Sequence, residues 1–131
     1  MTRLVLLALC ACIPDNGPLM RPGEDCLFCH SNTGGATPWI AAGTVFRQAD
    51  GGQGFEGARV RLTDANGFSV ALRTNEAGNF YTREALRFPL TACIDANGAT
   101  VCQQSPLMAG LCNTCHGEAI FGAPQPPLTP P

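Results

Sequence analysis

The sequence predicts a mainly β fold, in which a small antiparallel β-sandwich is inserted between two short helical or loop segments. Two observations lead to this prediction. Short runs of alternating apolar and polar residues fill the middle of the chain, separated by turns rich in asparagine and glycine. That pattern is typical of half-buried strands joined by tight connections. Two similar cysteine motifs lie on either side of this region, near the two ends of the chain.

The predicted strands follow from the periodicity in order along the chain. Residues 43–47 form a first strand, and residues 58–63 alternate as a half-buried strand should. Asn66-Gly67 is a strong hairpin signal, and Phe68, Val70 and Leu72 then give the returning strand its inward face. Residues 79–82 form another strand after the turn at 75–78. Helix is expected only as short turns around the cysteine motifs and over residues 83–87.

A second hairpin is predicted around Asp95-Ala96-Asn97-Gly98. If Asn97 and Gly98 are the loop residues, Cys93 faces Cys102 at a position without ladder hydrogen bonds, where opposed Cα atoms lie about 4.5 Å apart. A disulfide accepts Cα separations of about 4.4–6.8 Å. We therefore expect a Cys93–Cys102 disulfide that fixes the register of this hairpin.

The two cysteine motifs have the form C-x-x-C-H. They are Cys26-Leu27-Phe28-Cys29-His30 and Cys112-Asn113-Thr114-Cys115-His116, and they contain the only two histidines of the chain. This is the attachment signature of c-type haem. The two thiols add to the two vinyl groups of one haem, and the adjacent histidine becomes the proximal ligand of the iron. The motifs predict two covalent haems c, with His30 and His116 as iron ligands.

Two other interpretations of the same cysteines stay open. Paired C-x-x-C motifs can form a structural zinc site with four cysteine ligands. A single C-x-x-C can also be a dithiol redox pair. Neither interpretation accounts for a histidine directly after each pair.

The methionines are candidates for the second axial ligand of each iron. Each haem uses its own histidine, the chain has no lysine, and beyond the start of the chain only Met20 and Met108 remain as thioethers. Both precede a motif in a Pro-Leu-Met context. The alternative is that both methionines fill gaps in the core. The sequence does not decide which methionine serves which iron.

The first residues have the form of an export signal. Arg3 precedes a short apolar run, and Leu9-Cys10-Ala11-Cys12 resembles a bacterial lipobox in which Cys12 becomes the lipidated first residue. We expect an outer-membrane lipoprotein on the periplasmic or cell-surface side, anchored through Cys12. The alternative is an ordinary cleaved signal peptide. Eight cysteines in 131 residues also suit an oxidising compartment.

Composition argues against one class of partner. Charged residues make up 14% of the chain, the net charge is −2, and no basic stripe is present, so we expect no nucleic-acid partner. The predicted organisation is a signal peptide at 1–11, a segment with the first haem motif at 12–42, the sandwich at 43–104, the second haem motif at 105–122 and a proline-rich tail at 123–131. The tail is expected to be extended, and to contact a haem, bind a partner or end in solvent.

The two C-x-x-C-H motifs make the chain resemble multihaem c-type cytochromes. Residues 43–45, 57–60, 66–67 and 78–81 resemble carboxypeptidase-regulatory-like (transthyretin-like) sandwich modules. The combination is similar to small exported dihaem modules with such a sandwich between the two sites, and it covers about residues 18–120. The resemblance implies covalent haem and electron transfer with other redox proteins such as cytochromes. The chain departs from bis-histidine nanowire cytochromes because it lacks their histidine-rich spacing.

These observations predict an electron carrier without a substrate site. A dihaem peroxidase is a competing prediction, but it needs acid–base residues, and the chain has no histidine beyond the two motifs. A haem-containing binding or sensor module on the cell envelope is the second competitor, with the sandwich as its docking surface. The sequence says nothing about donor, acceptor, reduction potentials or oligomeric state.

Overall fold

The computed structural model describes residues 17–116 and 128–131. Within them the chain forms six strands and two short helices, which confirms the predicted mainly β fold. The elements are α1 (Cys26–Cys29), β1 (Ala41–Thr44), β2 (Arg59–Thr63), β3 (Ser69–Arg73), β4 (Asn79–Thr82), β5 (Thr91–Ala96), β6 (Ala99–Cys102) and α2 (Cys112–His116). The predicted signal peptide and the lipidated Cys12 lie outside the described residues.

The strands form two antiparallel sheets. β1 pairs with β4, and a second sheet has the order β3-β2-β5-β6. Both sheets contribute to one hydrophobic core, since Ala41 and Phe80 of the first sheet cluster with Val60, Leu62 and Ile94 of the second. Burial alternates along β2 as the periodicity of the sequence predicted: Arg59 and Arg61 are exposed, and Val60 and Leu62 are buried.

The hairpin between β5 and β6 confirms the predicted disulfide register. Asn97 and Gly98 have φ angles of 52° and 78°, and a two-residue type I′ hairpin turn requires such positive φ angles at both loop positions. Cys93 consequently faces Cys102, with Cα atoms 4.0 Å apart and the sulfurs bonded. The Gln103 amide donates to the Ala92 carbonyl, so the cysteine pair occupies the neighbouring position without ladder hydrogen bonds.

Three details of the predicted elements are wrong. The first strand is Ala41–Thr44, two residues earlier than predicted, because Val45 and Phe46 pair only through isolated bridges. Phe68 is 52% exposed, since it closes the β2–β3 hairpin beside the turn on an edge strand, whereas Val70 and Leu72 do pack against the core. Residues 83–87 contain no helix; a single turn is too short to be stable by itself.

Both short helices pack against β1 and therefore lie on the same small sheet. The described end of the tail also joins this region: the Phe46 amide donates to the Leu128 carbonyl at 2.7 Å, and Leu128 packs against the core. At Leu128 the tail is therefore packed against the fold, whereas residues 123–127 of the predicted tail lie outside the described residues. In the described part of the chain, neither helix has the length or the apolar character needed to cross a membrane.

Candidate haem-attachment sites

Helix α1 presents the first motif on one face. Asp25 caps the helix, its side-chain oxygen accepting from the Leu27 amide at 3.1 Å, and the His30 amide closes the turn on the Cys26 carbonyl at 3.0 Å. Residues three and four apart on a helix share a face. The spacing of Cys26, Cys29 and His30 therefore directs both thiols and the imidazole to the same side.

The imidazole of His30 is held in the form that binds a metal. Its Nδ1 lies 2.8 Å from the carbonyl oxygen of Thr37. A carbonyl only accepts, so the proton sits on Nδ1 and the lone pair is left on Nε2. Metal-ligating histidines use this same device to fix tautomer and ring orientation. The Trp39 amide donates to the His30 carbonyl at 2.8 Å, which closes the connecting loop behind the histidine.

A cavity of about 550 Å³ opens beside the first motif. Its wall contains Cys26, Cys29 and His30 together with Met20 and Phe28. This volume is within the range of about 300–1,000 Å³ that is typical of cofactor sites. Phe28 is 79% exposed although it lies in this wall, so the structure leaves a large apolar ring for a flat apolar group to cover.

Stacked aromatic rings form another part of this wall. The His30 and Trp39 rings are parallel within 5° at a centroid distance of 3.4 Å, and Trp39 stacks on Tyr81 at 4.1 Å. The indole Nε1 of Trp39 is buried without a hydrogen-bond partner among the described residues. An unpaired buried N–H costs about 1–3 kcal/mol.

The second motif lines a separate cavity of about 660 Å³. Helix α2 carries Cys112, Cys115 and His116 with the same spacing as the first motif, and all three lie in the cavity wall. Met108 lies in this wall as well. Much of the remaining wall is apolar and comes from the larger sheet, through Val60, Leu62, Ala92, Ile94 and Val101.

The eight predicted site residues therefore fall into two groups of four. Met20 lies beside the first motif and Met108 beside the second, so each methionine shares a cavity with the histidine that follows it in the sequence. The sequence left this allocation open. Met20 is half-buried and Met108 is 75% exposed.

Burial suppresses ionisation of the first thiol of each motif. Burial, with the nearby negative charge of Asp25, raises the pKa of Cys26 to about 11. Burial, with the nearby Cys26 thiol, raises the pKa of Cys112 to about 12. A dithiol redox site needs a lowered pKa on its attacking cysteine. Cys26 and Cys112 are thus unsuited to act as the attacking thiol of a dithiol redox pair.

The described residues also lack the arrangement that a zinc site needs. No three His, Cys, Asp or Glu side chains in residues 17–116 and 128–131 form a group that could hold a metal ion. A structural zinc site gathers four such ligands around one point. The two C-x-x-C pairs instead face two different cavities.

Sequence reasoning missed the residues that connect the two motifs. Asn113, inside the second motif, is only 4% exposed and donates from its amide nitrogen to the Glu24 carbonyl at 2.8 Å. The same nitrogen lies 3.7 Å from the Cys26 sulfur and 3.0 Å from the Thr44 hydroxyl. The variable positions of C-x-x-C-H carry no signal of such a role, because the partners of Asn113 are 69 to 89 residues away along the chain.

Phe80 connects the two sites in a second way. It is 3% exposed and contributes to the walls of both cavities. One aromatic side chain thus forms part of the partition between them.

Comparison of the chain with protein-family models, curated proteins and solved structures found no match.

Proposed function

We propose that this protein is a dihaem c-type cytochrome that carries single electrons between other redox proteins. The observation that carries the proposal is the state of His30: its Nδ1 donates to the Thr37 carbonyl, and its Nε2 is left available beside two thiols on the wall of a cofactor-sized cavity. The second motif repeats the thiol and histidine spacing beside a cavity of its own. Eight site residues and two cavities match the requirements of two haems.

The residues divide the work of each site. Cys26 and Cys29 would hold the first group covalently, His30 and Met20 would ligate its iron, and the Trp39–Tyr81 stack forms one side of the cavity. Cys112, Cys115, His116 and Met108 would hold the second group in the same way. Haem bound at these sites would supply an iron that accepts and releases one electron. The protein would exclude water and set the potential through these ligands and the apolar wall.

The proposed role needs no substrate and no catalytic residue. Electron carriers exchange electrons at an accessible cofactor edge, so the partner is another redox protein. The cavities suit such exchange because both open to the surface beside exposed apolar side chains, Phe28 at the first and Met108 at the second. We further propose export and anchoring to an outer membrane through lipidated Cys12, which rests on the lipobox-like sequence alone.

Covalent attachment tests the proposal directly. The full chain, expressed with a cytochrome c maturation system, should gain the mass of two haems that resist acid–acetone extraction. Cys26→Ser with Cys29→Ser should remove one haem, and Cys112→Ser with Cys115→Ser should remove the other. Cys93→Ser with Cys102→Ser is the matched control, because it removes two cysteines outside the motifs and should keep both haems. Protein that binds zinc and no covalent haem would overturn the proposal.

A further inference from the structure

We infer that Asn113 is a positioning residue that locks the two haem-attachment motifs together and thereby couples the two redox centres. This inference rests on the proposed dihaem function and adds to it how the two centres are related. Asn113 belongs to the second motif by sequence, but every side-chain hydrogen bond that it makes in the described structure reaches another segment.

The hydrogen bonds use both ends of the amide. The Oδ1 atom of Asn113 accepts from the Thr44 backbone amide at 2.8 Å, which joins α2 to β1. The Nδ2 atom donates to the Glu24 carbonyl at 2.8 Å, which joins α2 to the residues just before α1. Since Asn113 is buried, breaking either bond leaves a polar group without water to replace its partner. The amide therefore holds both motifs at a fixed relative position.

Thr44 extends the connection to the first cavity. Its hydroxyl is fully buried, accepts from the Gly23 amide at 2.9 Å and donates to the Asn79 side chain at 2.8 Å. Asn79 in turn donates to the Met20 carbonyl at 2.8 Å. A continuous polar network thus runs from the second motif to the methionine of the first site.

A fixed spacing has an electrostatic consequence. The cavities share Phe80, and Asn113 Nδ2 approaches the Cys26 sulfur at 3.7 Å. Charges interact more strongly across buried protein than across water. Reducing one centre should therefore make reduction of its neighbour harder. The N–H group of Asn113 brings a partial positive charge close to the first attachment cysteine, which favours the more electron-rich state and so raises the potential of the first centre.

Two substitutions at Asn113 distinguish the role of its Oδ1 acceptor from that of its Nδ2 donor. Asn113→Ala removes both, whereas Asn113→Asp keeps the acceptor for Thr44 but replaces the donor with a negative charge. Thr44→Ala removes only the hydroxyl branch of the network: it leaves both C-x-x-C-H motifs intact, and it keeps the bonds of Asn113 to the Thr44 backbone amide and the Glu24 carbonyl. The matched control is Thr74→Ala: Thr74 is 3% exposed, accepts from the Ala58 amide and donates to the Phe55 carbonyl, and lines neither cavity.

The experiment uses haem-loaded full-length protein and three measurements. Mass spectrometry counts the haems, pulsed EPR measures the distribution of iron–iron distances in the ferric state, and a redox titration gives both potentials. We expect a narrow distribution in the wild type and in Thr74→Ala, a broad one in Asn113→Ala, and a smaller broadening in Thr44→Ala. The potential of the first haem should fall in Asn113→Ala and fall further in Asn113→Asp.

The outcomes are distinguishable. Absence of covalent haem would overturn the proposed function itself. Two haems with a broad distance distribution in the wild type would overturn the coupling and leave the proposed function standing, even if no variant folds. Variants that keep the wild-type distribution and potentials would also overturn it, as would a change in Thr74→Ala as large as that in Asn113→Ala.

Discussion

Replacing Gly43 with alanine should change the second haem site more than an equally destabilising substitution elsewhere does. Gly43 lies in β1, opposite Phe80 of β4 and directly against helix α2. A Cβ atom added at this position would lie 2.7 Å from the Cβ of Cys112 and 2.7 Å from the ring Cζ of Phe80. The glycine is thus required by close packing against Cys112 and Phe80.

The size of the disturbance follows from these distances. Carbon atoms in contact prefer about 3.5–4.0 Å, so Cys112 or the Phe80 ring must move by about 1 Å. Overpacking of this kind costs about 1–3 kcal/mol. Phe80 belongs to both cavity walls, whereas Cys112 belongs only to the second, so the second haem should change more than the first.

Gly67→Ala provides the matched control. Gly67 has a φ of 83° and nothing within 4 Å of an added Cβ, so the substitution costs about 1–2 kcal/mol through backbone strain alone. Denaturant unfolding should show similar losses of stability for both variants. EPR spectra of the ferric protein should show a shifted signal for the second haem only in Gly43→Ala. An unchanged signal in Gly43→Ala, or an equal shift in Gly67→Ala, would refute the reasoning.

Four further predictions test separate features. Met20→Ala should open the haem of the first motif to CO and lower its reduction potential, because methionine ligation raises the potential. Met108→Ala should do the same at the second motif. Haems that stay six-coordinate with unchanged potentials in both variants would point to ligands from a partner chain. Cys93→Ser with Cys102→Ser should lower the free energy of unfolding, measured by urea unfolding, by at most about 3 kcal/mol, since the two cysteines have a sequence separation of only 9. The haem-free protein with its disulfide intact should lose stability as the pH rises from 9.0 through about 11 to about 12. Burial raises the pKa of Cys26 and Cys112 in the folded state, so the unfolded chain releases these protons at lower pH than the folded protein does. Haem attachment should abolish this loss, and a loss that persists in the haem-loaded protein would have another origin. Metabolic labelling with a lipid precursor should mark the wild type and not Cys12→Ser, whereas an unlabelled wild type would favour an ordinary signal peptide.

Local patterns in the sequence were sufficient for most of the strands and for placing the C-x-x-C-H side chains on short helices. Alternation in residues 59–63 predicted β2, and Asn97-Gly98 predicted a two-residue turn that sets Cys93 opposite Cys102. Both predictions depend only on near neighbours along the chain, where strand period and turn geometry leave one register. The C-x-x-C-H spacing likewise placed two thiols and an imidazole on one helix face without knowledge of the rest of the fold.

Only the tertiary structure decided how these parts meet. It placed Met20 and Met108 each in the cavity of its own motif, exposed Phe68 at the end of an edge hairpin, and made Asn113 the link between the two motifs. The position of Asn113 depends on segments that are distant in sequence but packed on the same strand, β1. A pattern of neighbouring residues describes which side a residue faces. It does not identify the segment that packs against that side, and this segment sets burial and hydrogen bonding. The Glu24 carbonyl that accepts from Asn113, for example, lies 89 residues away along the chain.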